Sequence, residues 1–270
     1  MVQVVGISSG KGGVGKTTVS VNLGIALSQF GKKVIIVDCN FSTPHLAHYL
    51  GTDGFGKTIN DVLRDGADIT EALYHYNGVM FVPASNKVED LVDLDIAKLK
   101  KHIKKLSNPE MIDFVLLDSA PGLGREAVSV LDVSENILFV TSPLQPSVDD
   151  VKRCVEVVRE MGKKEMGVIL NMKTRKRSEF NENDVQRATK IPVIGKIEYD
   201  QNVIDSLIAK KPVILNKPHS PASIGFMELA ANILDVKYKP SPMKKVFHLF
   251  DNIRSLIATQ SKEENFKKNR

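Results

Sequence analysis

The chain has 270 residues, 42% of them apolar and 26% charged, which fits one large α/β domain or two small ones and excludes disordered, collagen-like and disulfide-stapled classes. Its formal charge of +5 is concentrated at one end: from Lys239 onward eight basic residues stand against three acidic ones, and the preceding body is balanced, so the C-terminus is suited to an anionic surface. No run of 18 apolar residues and no leader-like N-terminus occur, and the two cysteines, Cys39 and Cys154, lack CxxC spacing, which predicts a cytoplasmic protein without a zinc or iron–sulfur site readable from sequence.

Short β-branched runs alternate with helix-length amphipathic stretches. The first strand is predicted over 2–7, followed by Gly10-Lys11-Gly12-Gly13-Val14-Gly15-Lys16-Thr17, which fits GxxxxGK[ST] and opens a helix over 17–30. Strand, glycine loop and helix together form a phosphate cradle: backbone N–H groups curl around phosphate oxygens, Lys16 reaches the β and γ phosphates of a nucleotide, and the Thr17 hydroxyl ligates Mg²⁺. A second strand over 33–37 ends at Asp38. The motif recurs at 51–58, but a helix over 45–50 precedes it, so that copy reads as a surface loop. Further strands fall at 79–82, 113–117, 136–140, 167–170 and 193–197, with helices at 147–161 and 221–234. This order predicts an α/β fold, a doubly wound, mostly parallel sheet flanked by helices, with ligands at the strand C-terminal ends. Asp118 ends the fourth of these strands and starts Asp-Ser-Ala-Pro-Gly122, placing a carboxylate where it would hold Mg²⁺ through water. Lysines 98, 100, 101, 104 and 105 alternate with Leu99, Ile103 and Leu106 as a solvated face over a core stripe. Lys173, Arg175, Lys176 and Arg177 form a basic loop cluster, and the six histidines show no ligand or triad spacing.

Lys11 exceeds what the generic loop requires. Lys-Gly-Gly-x-Gly-Lys-Thr-Thr, ending at Thr18, resembles the deviant Walker A motif of the MinD/ParA group of P-loop ATPases, and the resemblance covers about residues 1–236. It implies that Lys11 reaches across a homodimer interface to the partner's ATP, as an arginine finger does. The loop after Asp38, Cys39-Asn40-Phe41-Ser42-Thr43-Pro44, is similar to switch I. Relatives of this kind usually read Asp-x-Asp, the second carboxylate positioning the attacking water; here that position is Asn40. An amide orients water without taking a proton, so slow hydrolysis is expected, with Lys11, Lys16, Asp38 and Asn40 as the catalytic set and Asp38 behind the metal. The resemblance further places adenine against Asn171 and against Glu198, which stands where a proline is usual, while Met172 replaces a frequent arginine. Adenine fits the absence of an Asn-Lys-x-Asp guanine reader.

The ATPase domain is expected over 1–237 and a linker with a basic tail over 238–270, where two prolines precede an amphipathic C-terminal helix at 243–257. Met243, Val246, Leu249, Phe250, Ile253, Leu256 and Ile257 share an arc of roughly 140°. With Phe247 they form the expected membrane contacts, and the segment resembles the targeting tails of MinD-type proteins. Burying seven apolar side chains gains on the order of 10 to 15 kcal/mol, and ordering about fifteen residues costs as much, so one tail is marginal and two on an ATP-bridged dimer bind by avidity. The sequence therefore points to an ATP- and Mg²⁺-dependent, peripherally membrane-associated ATPase that positions a partner complex. Its alternatives are a ParA-like DNA-partitioning ATPase, a non-hydrolysing nucleotide-gated adaptor and, less favoured for want of paired cysteines, an iron–sulfur scaffold ATPase.

Overall fold

The computed structural model describes residues 1–240 except 53 and 175. The stripe of 243–257, with every membrane contact expected of it, lies outside the described residues, as does Arg175. In chain order the elements are β1 (Gln3–Ser8), α1 (Lys16–Gln29), β2 (Val34–Cys39), α2 (Leu46–Leu50), α3 (Ile59–Asp65), β3 (Tyr74–Tyr76), β4 (Val79–Val82), α4 (Leu99–Leu106), β5 (Phe114–Ser119), α5 (Arg125–Val133), β6 (Asn136–Thr141), α6 (Gln145–Glu160), β7 (Lys164–Lys173), α7 (Glu182–Thr189), β8 (Val193–Glu198), α8 (Gln201–Ile208), α9 (Val213–Asn216) and α10 (Pro221–Ile233).

All seven predicted strands form, in one sheet ordered β3-β4-β2-β5-β1-β6-β7-β8. Every pairing is parallel except β3 with β4. The additional strand β3 is a three-residue edge, Tyr-His-Tyr, too short to show an alternation pattern. Several predicted boundaries shift, and two of the shifts bear on the site. β5 runs on to Ser119, so Asp118 lies within the strand, and β7 continues to Lys173, past the predicted end at Leu170.

Because side chains alternate across a strand, the two faces of the sheet read as two sets of apolar residues. Val5, Ile7, Ile36, Leu116, Leu138 and Ile169 meet α1 and α10. On the opposite face Val4, Ile35, Val115 and Leu117 build one core, and Ile137, Phe139, Val168 and Leu170 build another under α6 and α7. α1 is covered on nearly all sides, buried without interruption from Thr18 to Leu27, which is why its sequence carries no polar stripe. α4 is the opposite case: Leu99, His102, Ile103 and Leu106 are buried beneath exposed lysines. After α10 the chain crosses back to the end of α1, where the Tyr238 ring meets Phe30 edge-on with centroids 6.0 Å apart. No helix among the described residues is long and apolar enough to cross a membrane.

Leu116 sits in the second of the two innermost strands and is 1% exposed. Leu116→Ala is expected to lower unfolding free energy by about 2–5 kcal/mol in urea titration, whereas Val128→Ala, at an exposed position of α5, stays within about 0.5 kcal/mol.

Candidate functional site

The phosphate loop is wedged between two neighbours. A Cβ on Gly10 would lie 2.2 Å from Cβ of Asp150 in α6, and one on Gly15 would lie 2.4 Å from Nδ2 of Asn171 in β7. Gly15 also has φ 90 as the residue that starts α1, a left-handed conformation that favours glycine. Asn171 donates from Nδ2 to the Val14 carbonyl at 2.8 Å, so it braces the loop from behind as well as lining the cleft. Lys16 is 8% exposed and donates to Ser9 Oγ at 2.9 Å, and Ser9 in turn donates to the Lys11 carbonyl at 2.8 Å. Burial pulls the Lys16 pKa down, against the attraction of Asp118. Gly12 and Gly13 are exposed and Thr17 half-buried, whereas Val14 is core. Lys11 is half-buried, and its ammonium makes no ion pair or hydrogen bond among the described residues.

Asp38 and Asp118 face each other across the β2–β5 pairing, both at most 1% exposed. Two carboxylates on one rung cannot both ionise cheaply. Burial, then the charge of Asp118, pushes Asp38 up to about 8, although its carboxylate accepts the backbone N–H groups of Leu46 and Asn40, each at 3.1 Å. Burial also raises Asp118, opposed by the hydroxyls of Thr17 and Ser20 and by Lys16. Ser20 donates to Asp118 Oδ1 at 2.9 Å, while Asp118 Oδ2 and Ser8 Oγ are buried without a hydrogen bond. An oxygen-rich, charge-starved pocket with an unused carboxylate oxygen fits a divalent cation, which Thr17 and Asp118 could hold with Asp38 behind them. The sequence reading had no place for Ser20; its only signal was its position three residues beyond Thr17, on the same helical face.

Asn40 is half-buried at the rim, with both ends of its amide engaged. Nδ2 donates to the Thr43 carbonyl at 2.5 Å and Oδ1 accepts from the Thr43 hydroxyl at 3.1 Å. In this conformation the amide closes its own loop while one N–H and one lone pair remain to orient a water.

From the phosphate loop a cleft of about 420 Å³ extends over Thr18. It is lined by Tyr49 of α2 and by Val203, Ile204 and Leu207 of α8, with Glu198, Tyr199 and Met172 among its other lining residues. Thr18 donates to the Tyr49 hydroxyl at 3.3 Å. Neither Tyr49 nor α8 was singled out from sequence, because each is brought to the cleft by tertiary packing, α8 through Asp200. That residue caps α8 through Asn202 N at 2.9 Å and accepts Ala222 N of α10 at 3.0 Å. The basic loop cluster is partly neutralised: Lys173 pairs with Glu179 at 2.8 Å, both largely buried, while Lys176 and Arg177 are exposed.

A mostly parallel sheet whose first strand feeds such a loop, with two facing carboxylates on adjoining strands, defines a P-loop nucleotide-binding protein. The family model for ParA, described as an iron-transfer P-loop NTPase of the NUBPL kind, matches residues 1–234, and the chain belongs to the ParA family. It is 30% identical to an ATP-binding protein of Methanocaldococcus jannaschii over 246 residues, covering 91% of this chain and 92% of the relative. The septum site-determining protein MinD of Pyrococcus horikoshii, solved with Mg-ADP, superimposes with a TM-score of 0.82 at 30% identity, over 90% of this chain and 99% of that one. MinD in the MinC:MinD cell division complex of Aquifex aeolicus gives 0.77 at 26% identity, over 88% and 98%.

The facing carboxylates make nucleotide-free stability pH-dependent. An unfolded aspartate titrates near 3.9, whereas Asp38 in the fold is raised to about 8. Between those values the native state binds more protons than the unfolded one, so stability falls as pH rises and levels off above the folded value. Asp38→Asn is expected to flatten this slope, with a urea midpoint above the parent's at pH 9 and close to it near pH 4.

Proposed function

We propose that the chain is a MinD-like ATPase: it binds ATP and Mg²⁺ at the phosphate loop, pairs with a second copy through the bound nucleotide, and in that state docks on a membrane and positions a partner complex. Hydrolysis resets it. The observation that carries this reading is the Lys11 ammonium, set in the phosphate loop with no ion pair among the described residues. A cation left unpaired beside Lys16 suits a phosphate presented by another copy. The Mg-ADP complex of the horikoshii protein supports the ligand, and the Aquifex complex supports a protein partner. In this reading Lys16, Thr17 and Asp118 serve nucleotide and metal, Asp38 and Asn40 the attacking water, and Asn171 and Glu198 the base. Residues 1–237 form the ATPase unit and 238–270 the tail that places it on the cytoplasmic face of the membrane.

The DNA reading loses support from the Lys173–Glu179 pair, which removes one of the basic residues that would meet phosphates. The iron-transfer description of the family model gives a second reading its one support. Cys39 lies in β2 and Cys154 in α6, both buried, and stable iron uptake under anaerobic reconstitution would favour that reading.

Two measurements test the proposal. The full chain should pellet with anionic liposomes in ATP but not in ADP, and a chain ending at Tyr238 in neither; pelleting independent of nucleotide or of the tail would sink the membrane switch. Phosphate release should be slow in the parent and about tenfold faster in Asn40→Asp at saturating ATP, as restoring a proton acceptor predicts; equal rates would show that Asn40 is not limiting.

A further inference from the structure

The loop 40–45 between β2 and α2 is held from outside as well as from within. Ser42 directs two donors at one carboxylate 84 positions away: its backbone N–H reaches Glu126 Oε2 at 3.4 Å, and its hydroxyl donates to Glu126 Oε1. Glu126 lies in the first turn of α5, whose Ala127, Val130 and Leu131 are buried, so the carboxylate projects from a fixed post. The segment leading into α5 is itself attached to the phosphate loop, since Gly122 N donates to the Ser9 carbonyl at 2.9 Å. A continuous path therefore runs from Ser9 through Gly122 and α5 to Glu126 and Ser42, then through the adjoining Thr43 to Asn40, whose own N–H rests on Asp38.

We propose that Glu126 is a positioning residue for ATP hydrolysis: by gripping Ser42 it fixes the loop that carries Asn40, so that the placement of Asn40 in the cleft follows the placement of the segment 120–124 behind Asp118. This rests on the ATPase reading. Two donors on one carboxylate make a charge-assisted, directional contact, and no other hydrogen bond or ion pair among the described residues joins the tip of the loop to α5. The Asn40–Thr43 pair passes the constraint inward, because moving Ser42 drags Thr43 and with it both ends of the Asn40 amide.

The test uses the full chain and the variants Ser42→Ala, Glu126→Ala, Glu126→Gln and the Ser42→Ala/Glu126→Ala pair. Hydrogen–deuterium exchange of the peptide covering 39–46 reads the grip directly. It is expected to speed up about tenfold in either alanine variant and no further in the double variant, with exchange elsewhere unchanged. Phosphate release should show kcat down about tenfold and KM for ATP within about twofold in both alanine variants, with partial recovery in Glu126→Gln, which keeps one acceptor for Ser42. Unchanged exchange in 39–46, or fully additive effects, would overturn the grip. A loosened loop with unchanged kcat would overturn the positioning role. If the parent itself releases no phosphate, the ATPase reading fails and the positioning role with it, while the exchange result still decides whether Glu126 holds the loop.

Discussion

The pairing of Asp38 with Asp118 across two central strands is the constraint around which the site is arranged. Two buried carboxylates on one rung are held together by the β2–β5 ladder, which has enough apolar side chains on both faces to keep the register. A slip of one residue in either strand would turn its carboxylate to the other face of the sheet and break the ladder's packing at once. The fold therefore stores an electrostatic penalty at the place where a cation would remove it. Its neighbours soften the penalty without abolishing it: two backbone N–H groups on Asp38, the Ser20 hydroxyl on Asp118, and the ammonium of Lys16 nearby.

The same economy applies to the phosphate loop. Two of its glycines are fixed by proximity, since α6 presses on Gly10 and Asn171 on Gly15, whereas Gly13 is fixed by its φ of 79 with nothing near it. A loop wedged in this way is preorganised, and little ordering remains to be done on binding. The flanking segments are joined to this rigid centre by single hydrogen bonds, which suits parts that respond to the state of the ligand.

Much of this was legible in the residues. The phosphate loop announced itself because its chemistry is local, with glycines, lysine and threonine within eight positions following an apolar run. The parallel strands were legible because burial on both faces leaves near-continuous apolar stretches. What escaped notice depends on partners distant in sequence. Ser20, Tyr49, Val203 and Glu126 are ordinary residues until the fold brings them to the cleft or to Ser42, and no periodicity marks them. Lys173 shows the converse: in sequence it joins a basic cluster, and in space it is spent on Glu179. Asn40 lies between the two cases. Its departure from the usual carboxylate was visible, but its two bonds to Thr43 were not.

The edge-on contact between Tyr238 and Phe30 gives the molecule a polarity of its own. Phe30 closes the helix whose first residue is Lys16, and fourteen residues of α-helix measure about 21 Å. Tyr238 thus lies at the pole opposite the nucleotide loop, with a buried helix between the two. A fluorophore or affinity handle attached just past that ring would stand clear of the cleft, and immobilising the protein by this pole would leave the phosphate face open to solution.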